Sequence, residues 1–228
     1  MTPAASRPDD PRFPGFPPEV PFPRVPGPVR PVYPPVPMVP MPSSAQPSED
    51  LRSSVYEQLL ARRTVFLDRA LDAETATLVA AQLMTLDADG TEPITLVVNS
   101  PGGPLDAAAA VLDTIDLVRG VVDTTCLGQA VGTAAVVVAA GTGRRRMGAG
   151  ARLRLRLAEV TLAGPAGRID ADLAHLRELR RALVDRLAAV TSQDRRLIER
   201  DIDEGRALSA ADAVAYGLVD EVIQPGAR

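Results

Sequence analysis

Residues 94–103 read ITLVVNSPGG. The first five form an unbroken aliphatic and β-branched run, the composition of a strand buried on both faces of a parallel sheet. NSPGG ends that strand, and its two glycines let backbone N–H groups turn toward a ligand without side-chain obstruction. A helix is predicted from Leu105 to Val118, then a second buried strand from Val121 to Leu127, stopping at Gly128. A third segment, helical from near Gly132, carries Ala134, Ala135, Ala139 and Ala140, which permit close packing. Strand, turn and helix in repetition define an α/β fold of right-handed βαβ type.

Working outward, residues 53–62 (SSVYEQLLAR) read as a short amphipathic helix and Thr64 to Leu67 as a short strand, and Asp72 caps a helix running through Thr85. On the other side, Arg152 to Leu157 alternates Arg with Leu, the period of a half-exposed strand. A long helix is expected from about Ile169 to Val190, with Leu173, Leu176, Leu183, Leu187 and Val190 near one stripe. Asp194 or Ser192 starts the next helix, Ser209 caps the last, and Leu218 to Ile223 reads as a final strand. The three arginines Arg144 to Arg146 read as a solvated turn.

Of the 22 prolines, 17 lie between Pro3 and Pro47. Proline fixes φ and supplies no backbone donor, so residues 1–48 are expected to form an extended or disordered tail and residues 49–228 the folded domain. Phe13, Phe16, Phe22 and Tyr33 interleave the prolines, which also suits a ligand for a polyproline-reading groove. All 25 basic residues among the 228 are arginine, and His175 and Cys126 are the single histidine and cysteine. Without lysine there is no Schiff base, no Ser-Lys dyad and no P-loop lysine. One cysteine and one histidine cannot build a Cys/His zinc site, and one thiol cannot close an internal disulfide, so no metal or other cofactor is expected. A net charge of −4 gives no overall basic field for nucleic acid. The absence of an 18-residue apolar run argues against a membrane span, and the expected setting is cytoplasmic.

In open α/β sheets, function collects at the carboxyl ends of strands. NSPGG there is suited to an oxyanion hole. LGQAVGT, residues 127–133, places a second turn where a helix begins and developing negative charge is favoured.

Read together, SVYEQLLARRTVFL (54–67), LVVNSPGG (96–103), CLGQAVGTAA (126–135), IERD (198–201) and LSAADAVAYGLVDEV (208–222) resemble successive blocks of ClpP, the proteolytic subunit of the Clp proteases, in the family's order and near its spacing. The resemblance covers about residues 53–223. It implies a ClpP/crotonase-like fold of repeated ββα-type units with a protruding handle helix, and a serine peptidase triad. Carried over position by position, the nucleophile falls on Gly132, where GQAVG stands for the family's GQAAS. The histidine falls on Arg156, or on Leu157 if no residue is deleted in the preceding turn, and the aspartate falls on Gly205. His175 maps to the handle helix, away from the catalytic strand. Asp201 and Asp203 flank the vacant aspartate position, but an acid with no histidine to orient has no triad role. Ser100 lies in the oxyanion turn, where its hydroxyl holds that turn.

What remains on this reading is a binding scaffold, with Gly103 and Thr133 as backbone donors for a peptide carbonyl. The resemblance implies self-association, or association with ClpP paralogues, in heptameric or tetradecameric rings, with a Clp ATPase as a further partner. Three functions follow as expectations: a catalytically inactive subunit with a structural or regulatory role, an active serine-type endopeptidase subunit with rearranged or partner-supplied residues, and a stand-alone peptide-binding module.

Overall fold

The computed structural model describes residues 49–157, 165–224 and 226. The proline-rich segment 1–48 and residues 158–164 lie outside the described residues, and of the expected strand Arg152 to Leu157 only Arg152–Arg154 is strand. Helix α1 (Glu49–Leu60) leads into strand β1 (Thr64–Leu67), and helix α2 (Ala73–Asp89) carries the chain to β2 (Ile94–Ser100). Helix α3 (Leu105–Leu117) then leads to β3 (Val122–Val131), and α4 (Thr133–Ala139) to β4 (Arg145–Gly148). These four strands pair in parallel in the order β1-β2-β3-β4, each neighbour joined through a helix as parallel strands require. After β5 (Arg152–Arg154) come helices α5 (Ala166–Thr191) and α6 (Arg195–Glu204), β6 (Ala207–Leu208), α7 (Ala210–Tyr216) and β7 (Glu221–Ile223). Strand β7 pairs in parallel with β4 and completes the path. The α/β class and the repeated crossover read from residues 94–140 are therefore what the chain adopts.

Burial explains the composition of the central strands. Ile94, Leu96, Val98, Val122 and Cys126 are fully buried, as a sheet covered on both faces demands. Helix α2 starts at the expected Asp72, whose carboxylate accepts the Thr75 N–H at 2.8 Å, and it runs four residues past Thr85 to Asp89. Asp194 rather than Ser192 caps α6, accepting the N–H groups of Arg196 and Leu197, while Ser192 closes α5 in a left-handed conformation. Ser209 and Asp212 form a reciprocal capping box at α7. At 26 residues α5 is about 39 Å long at 1.5 Å per residue. Only its second half is anchored, through buried Leu183, Val184 and Leu187; among the described residues its first half stays largely exposed.

Two features differ from the sequence-based expectation. The second strand does not stop at Gly128: β3 continues to Val131, and Gly128 adopts φ +68 inside it. Its first half pairs with β4 and its second half pairs with β5, so β3 bends away from the main sheet at this glycine. Nor do Arg144 to Arg146 form a solvated turn. Arg145 begins β4, where its guanidinium makes an ion pair with Asp220 and donates to the Gly217 carbonyl at 2.9 Å. Those hydrogen bonds hold the Asp220 carboxyl below the usual carboxylate range. Strand β4 carries no strand composition of its own and is held between β3 and β7, the latter 75 residues away in the chain.

Candidate functional site

The bend in β3 delivers Val131 to the start of α4, with Gly132 between them at φ 59, ψ −119. An L side chain rarely adopts this sharp strand-to-helix turn. The Gly132 N–H donates to the Arg154 carbonyl at 2.8 Å, tying the turn to β5. A Cβ added to Gly132 would sit 2.3 Å from the Arg156 carbonyl oxygen, so that backbone occupies the space a side chain would need.

The opposite wall is the NSPGG turn. Ser100 donates to the Arg69 carbonyl at 2.6 Å and accepts the Gly102 N–H at 3.1 Å, which holds the turn closed. Asn99 accepts the Gln129 N–H across the strands. The Gly103 N–H donates to Thr133 Oγ1 at 2.8 Å, and the same hydroxyl donates to the Gly103 carbonyl at 3.1 Å. Thr133 is 1% exposed. Its hydroxyl therefore fills the Gly103 donor from within the protein, and a ligand carbonyl reaches that N–H only by displacing it.

The third wall is β5 and its continuation. Leu153 and Leu155 are buried, which turns Arg152, Arg154 and Arg156 to the other face. The Leu155 N–H donates to the Arg206 carbonyl, and β6 pairs antiparallel with β5, so this edge rests on the end of α6. There Gly205 closes the helix at φ 66, its Cβ position 3.5 Å from Arg156 Cδ and 3.8 Å from Arg154 Nε. Arg154 Nε donates to the Gly205 carbonyl at 3.0 Å. Gly132 and Arg156 line one cleft of about 420 Å³ together with Pro101, Gly103, Val131, Thr133, Arg154 and Leu157, whereas Gly205 lines a neighbouring depression that shares Arg156. That depression also shares Arg154 and extends to Arg180, Asp203 and Glu204.

The remaining candidates lie elsewhere or are otherwise engaged. His175 is on α5, exposed, with Nε2 3.0 Å from Asp106 Oδ1. Asp201 is buried and accepts from Tyr216 Oη at 2.8 Å and Arg206 Nη1 at 2.9 Å. Asp203 pairs with Arg180. Burial pushes the Cys126 thiol up to about 12, so no thiolate is available near neutral pH. Among the described residues no group of three His, Cys, Asp or Glu is placed to hold a metal ion, and no helix is long and apolar enough to cross a membrane. Arg154 is the site residue the sequence reading passed over; the two-residue period of RLRLRL contains it, on the same face as Arg156.

The chemistry present is a pair of guanidinium groups beside backbone donors, and among the described residues no nucleophile and base are in contact at the cleft. Residues 47–226 match the family model of the Clp protease. The chain is 35% identical over 176 residues to ATP-dependent Clp protease proteolytic subunit 1 of Rhodococcus jostii (strain RHA1), covering 75% of this chain and 80% of that protein. It is likewise 35% identical over 177 residues to ATP-dependent Clp protease proteolytic subunit 2 of Mycobacterium leprae (strain TN), covering 75% and 82%.

Proposed function

Because the chain belongs to the Clp protease family, we propose that it is a ClpP-like subunit that has kept the peptide-holding cleft and lost hydrolysis, acting structurally or in regulation. One observation carries this reading: at the positions to which the resemblance assigns nucleophile, base and orienting acid the chain has Gly132, Arg156 and Gly205, with Arg156 next to both glycines. Glycine has no nucleophile, and a guanidinium stays protonated throughout the working pH range and takes no proton from a hydroxyl. Losing any one triad member removes most hydrolysis. Thr133 does not replace them, since its buried hydroxyl is committed to Gly103 and no histidine or carboxylate accepts from it.

Purified protein incubated with a fluorogenic peptide and a fluorophosphonate probe is expected to show neither turnover nor labelling. Turnover, or labelling at Thr133 or Ser100, would overturn the reading in favour of an active subunit with rearranged residues.

The same reading assigns residues 1–48 to an extended tail outside the folded domain. It also assigns the chain to rings of seven or fourteen subunits, of its own copies or mixed with active paralogues, that engage a Clp ATPase. Support comes from family membership and from α5, the long helix that the resemblance identifies with the handle between rings. Native mass spectrometry with and without an active paralogue is expected to show heptamers or tetradecamers; a monomer under both conditions contradicts the ring assignment.

A further inference from the structure

We propose that a second copy of this chain docks the Asp113 and Leu117 face of its α3 onto a row of the central sheet, where Asp113 supplies the carboxylate that Arg146 lacks. This rests on the ring reading above and names the surfaces that meet. The strand registers place Phe66 on β1, Val97 on β2, Thr125 on β3 and Arg146 on β4 side by side on one face. The next row, Leu67, Val98, Cys126 and Met147, points to the other face and is completely buried. The first row is closed less well: Phe66 and Arg146 are half-buried, and Leu127, two residues beyond Thr125, is 41% exposed. Within it the Thr125 hydroxyl and Arg146 Nε are both buried without a hydrogen-bond partner, and Thr125 as a whole is 6% exposed. Buried donors are ordinarily satisfied, so these two call for an acceptor from outside the chain. The acids nearby do not serve. Asp220 is taken by Arg145, Asp123 accepts the Arg144 N–H, and Glu221, the register neighbour of Arg146, makes no ion pair with it.

The same chain carries a surface of matching chemistry. Leu117, at the end of α3, is 69% exposed, the most of any large hydrophobic among the described residues. Asp113 lies one helical turn before it, exposed and without an ion pair among the described residues. Met84 and Val121, 51% and 44% exposed, extend the apolar surface. Asp87 holds these segments together, since its carboxylate accepts the N–H groups of Arg119 and Gly120 and pairs with the Arg119 guanidinium. One surface therefore offers apolar groups beside an unpaired carboxylate, and the other offers Phe66, Val97 and Leu127 beside an unpaired guanidinium. A guanidinium fork and the neighbouring Thr125 hydroxyl suit the two oxygens of one carboxylate. Because the two surfaces are different parts of the chain, the contact is head-to-tail, the kind that generates rings when the rotation closes.

Sedimentation velocity on the full chain over a dilution series tests this. The wild type is expected to assemble, and Arg146→Asp and Asp113→Arg are each expected to raise the concentration needed for assembly about tenfold or more. The doubly reversed chain, Arg146→Asp with Asp113→Arg, is expected to return to within about threefold of the wild type, the signature of a direct pair. Leu117→Ser is expected to weaken assembly while leaving the thermal melt of the dilute chain unchanged. Should Arg146→Asp fail to fold, Asp113→Arg and Leu117→Ser, both at positions exposed in the single chain, carry the test. Wild-type assembly in those two variants, or a folded double reversal that assembles no better than its parents, would overturn the proposal. The two readings fail separately. Rings that form regardless of Asp113 and Leu117 leave the ring reading standing and remove this contact, as do rings that form only with an active paralogue; a wild type that stays monomeric even with the paralogue removes both.

Discussion

Gly132→Ser is expected to leave the protein without peptide turnover and to lower its unfolding free energy by roughly 2–5 kcal/mol, combining strained backbone with overpacking. The backbone at 132 holds φ 59, ψ −119, a conformation that glycine adopts freely and serine only under strain. The added Cβ would meet the Arg156 carbonyl oxygen at 2.3 Å. That oxygen is main chain and cannot rotate aside. Relief requires the end of β5 to move, against the Gly132-to-Arg154 and Leu155-to-Arg206 hydrogen bonds that hold it. Even a tolerated serine hydroxyl would find no histidine, because the single histidine, His175, sits on α5 against Asp106, and position 156 holds an arginine in place of a base. Denaturant unfolding together with fluorophosphonate labelling measures both parts. A labelled serine at 132 with unchanged stability would show that the turn still accommodates a nucleophile.

Asp201→Ala is expected to cost about 2–4 kcal/mol of stability, near the lower end of what removing one partner of a buried ion pair costs. Asp201 is 2% exposed and receives both Tyr216 Oη and Arg206 Nη1. The Arg206 guanidinium lies 5.2 Å from the Tyr216 ring centroid, so the three groups hold α6, β6 and α7 to one another. Removing the carboxylate leaves a buried tyrosine hydroxyl without its acceptor, whereas Arg206 is partly exposed and hydrates. Tyr216→Phe, which leaves the acid and arginine paired, is expected to cost less. A chemical denaturation midpoint unchanged in Asp201→Ala would contradict this account.

The central crossovers were legible because ITLVV and the run from Val122 to Cys126 are buried on both faces, and burial leaves a local compositional mark. The caps at Asp72 and Ser209 were legible for a similar reason, since each bonds within three residues. Strands β4 and β6 were not. RRMG and AL have no strand composition of their own and are held by partners distant in the chain, Arg145 by Asp220 and Leu208 by Leu153. At the site, the block order placed Gly132, Arg156 and Gly205 as candidates. Its occupancy was hidden, because the Thr133-to-Gly103 bonds join turns thirty residues apart. Asp201 illustrates the same limit. Its neighbourhood suggested an acid without a histidine, and only the fold shows Tyr216 and Arg206 as its partners.

The pairing of β4 with β7 also bears on how the molecule reaches its native state. β4 is made early, yet the strand beside it ends at Ile223, and the Arg145–Asp220 pair closes a loop of 75 residues. Until β7 docks, β4 presents an unpaired hydrogen-bonding edge and lacks the carboxylate that neutralises its arginine. Loop closure of this kind is repaid only after most of the chain has been ordered, which places the molecule among slower, topology-limited folders. The exposed edge makes the interval before docking the period in which β4 is open to pairing with strands of other chains.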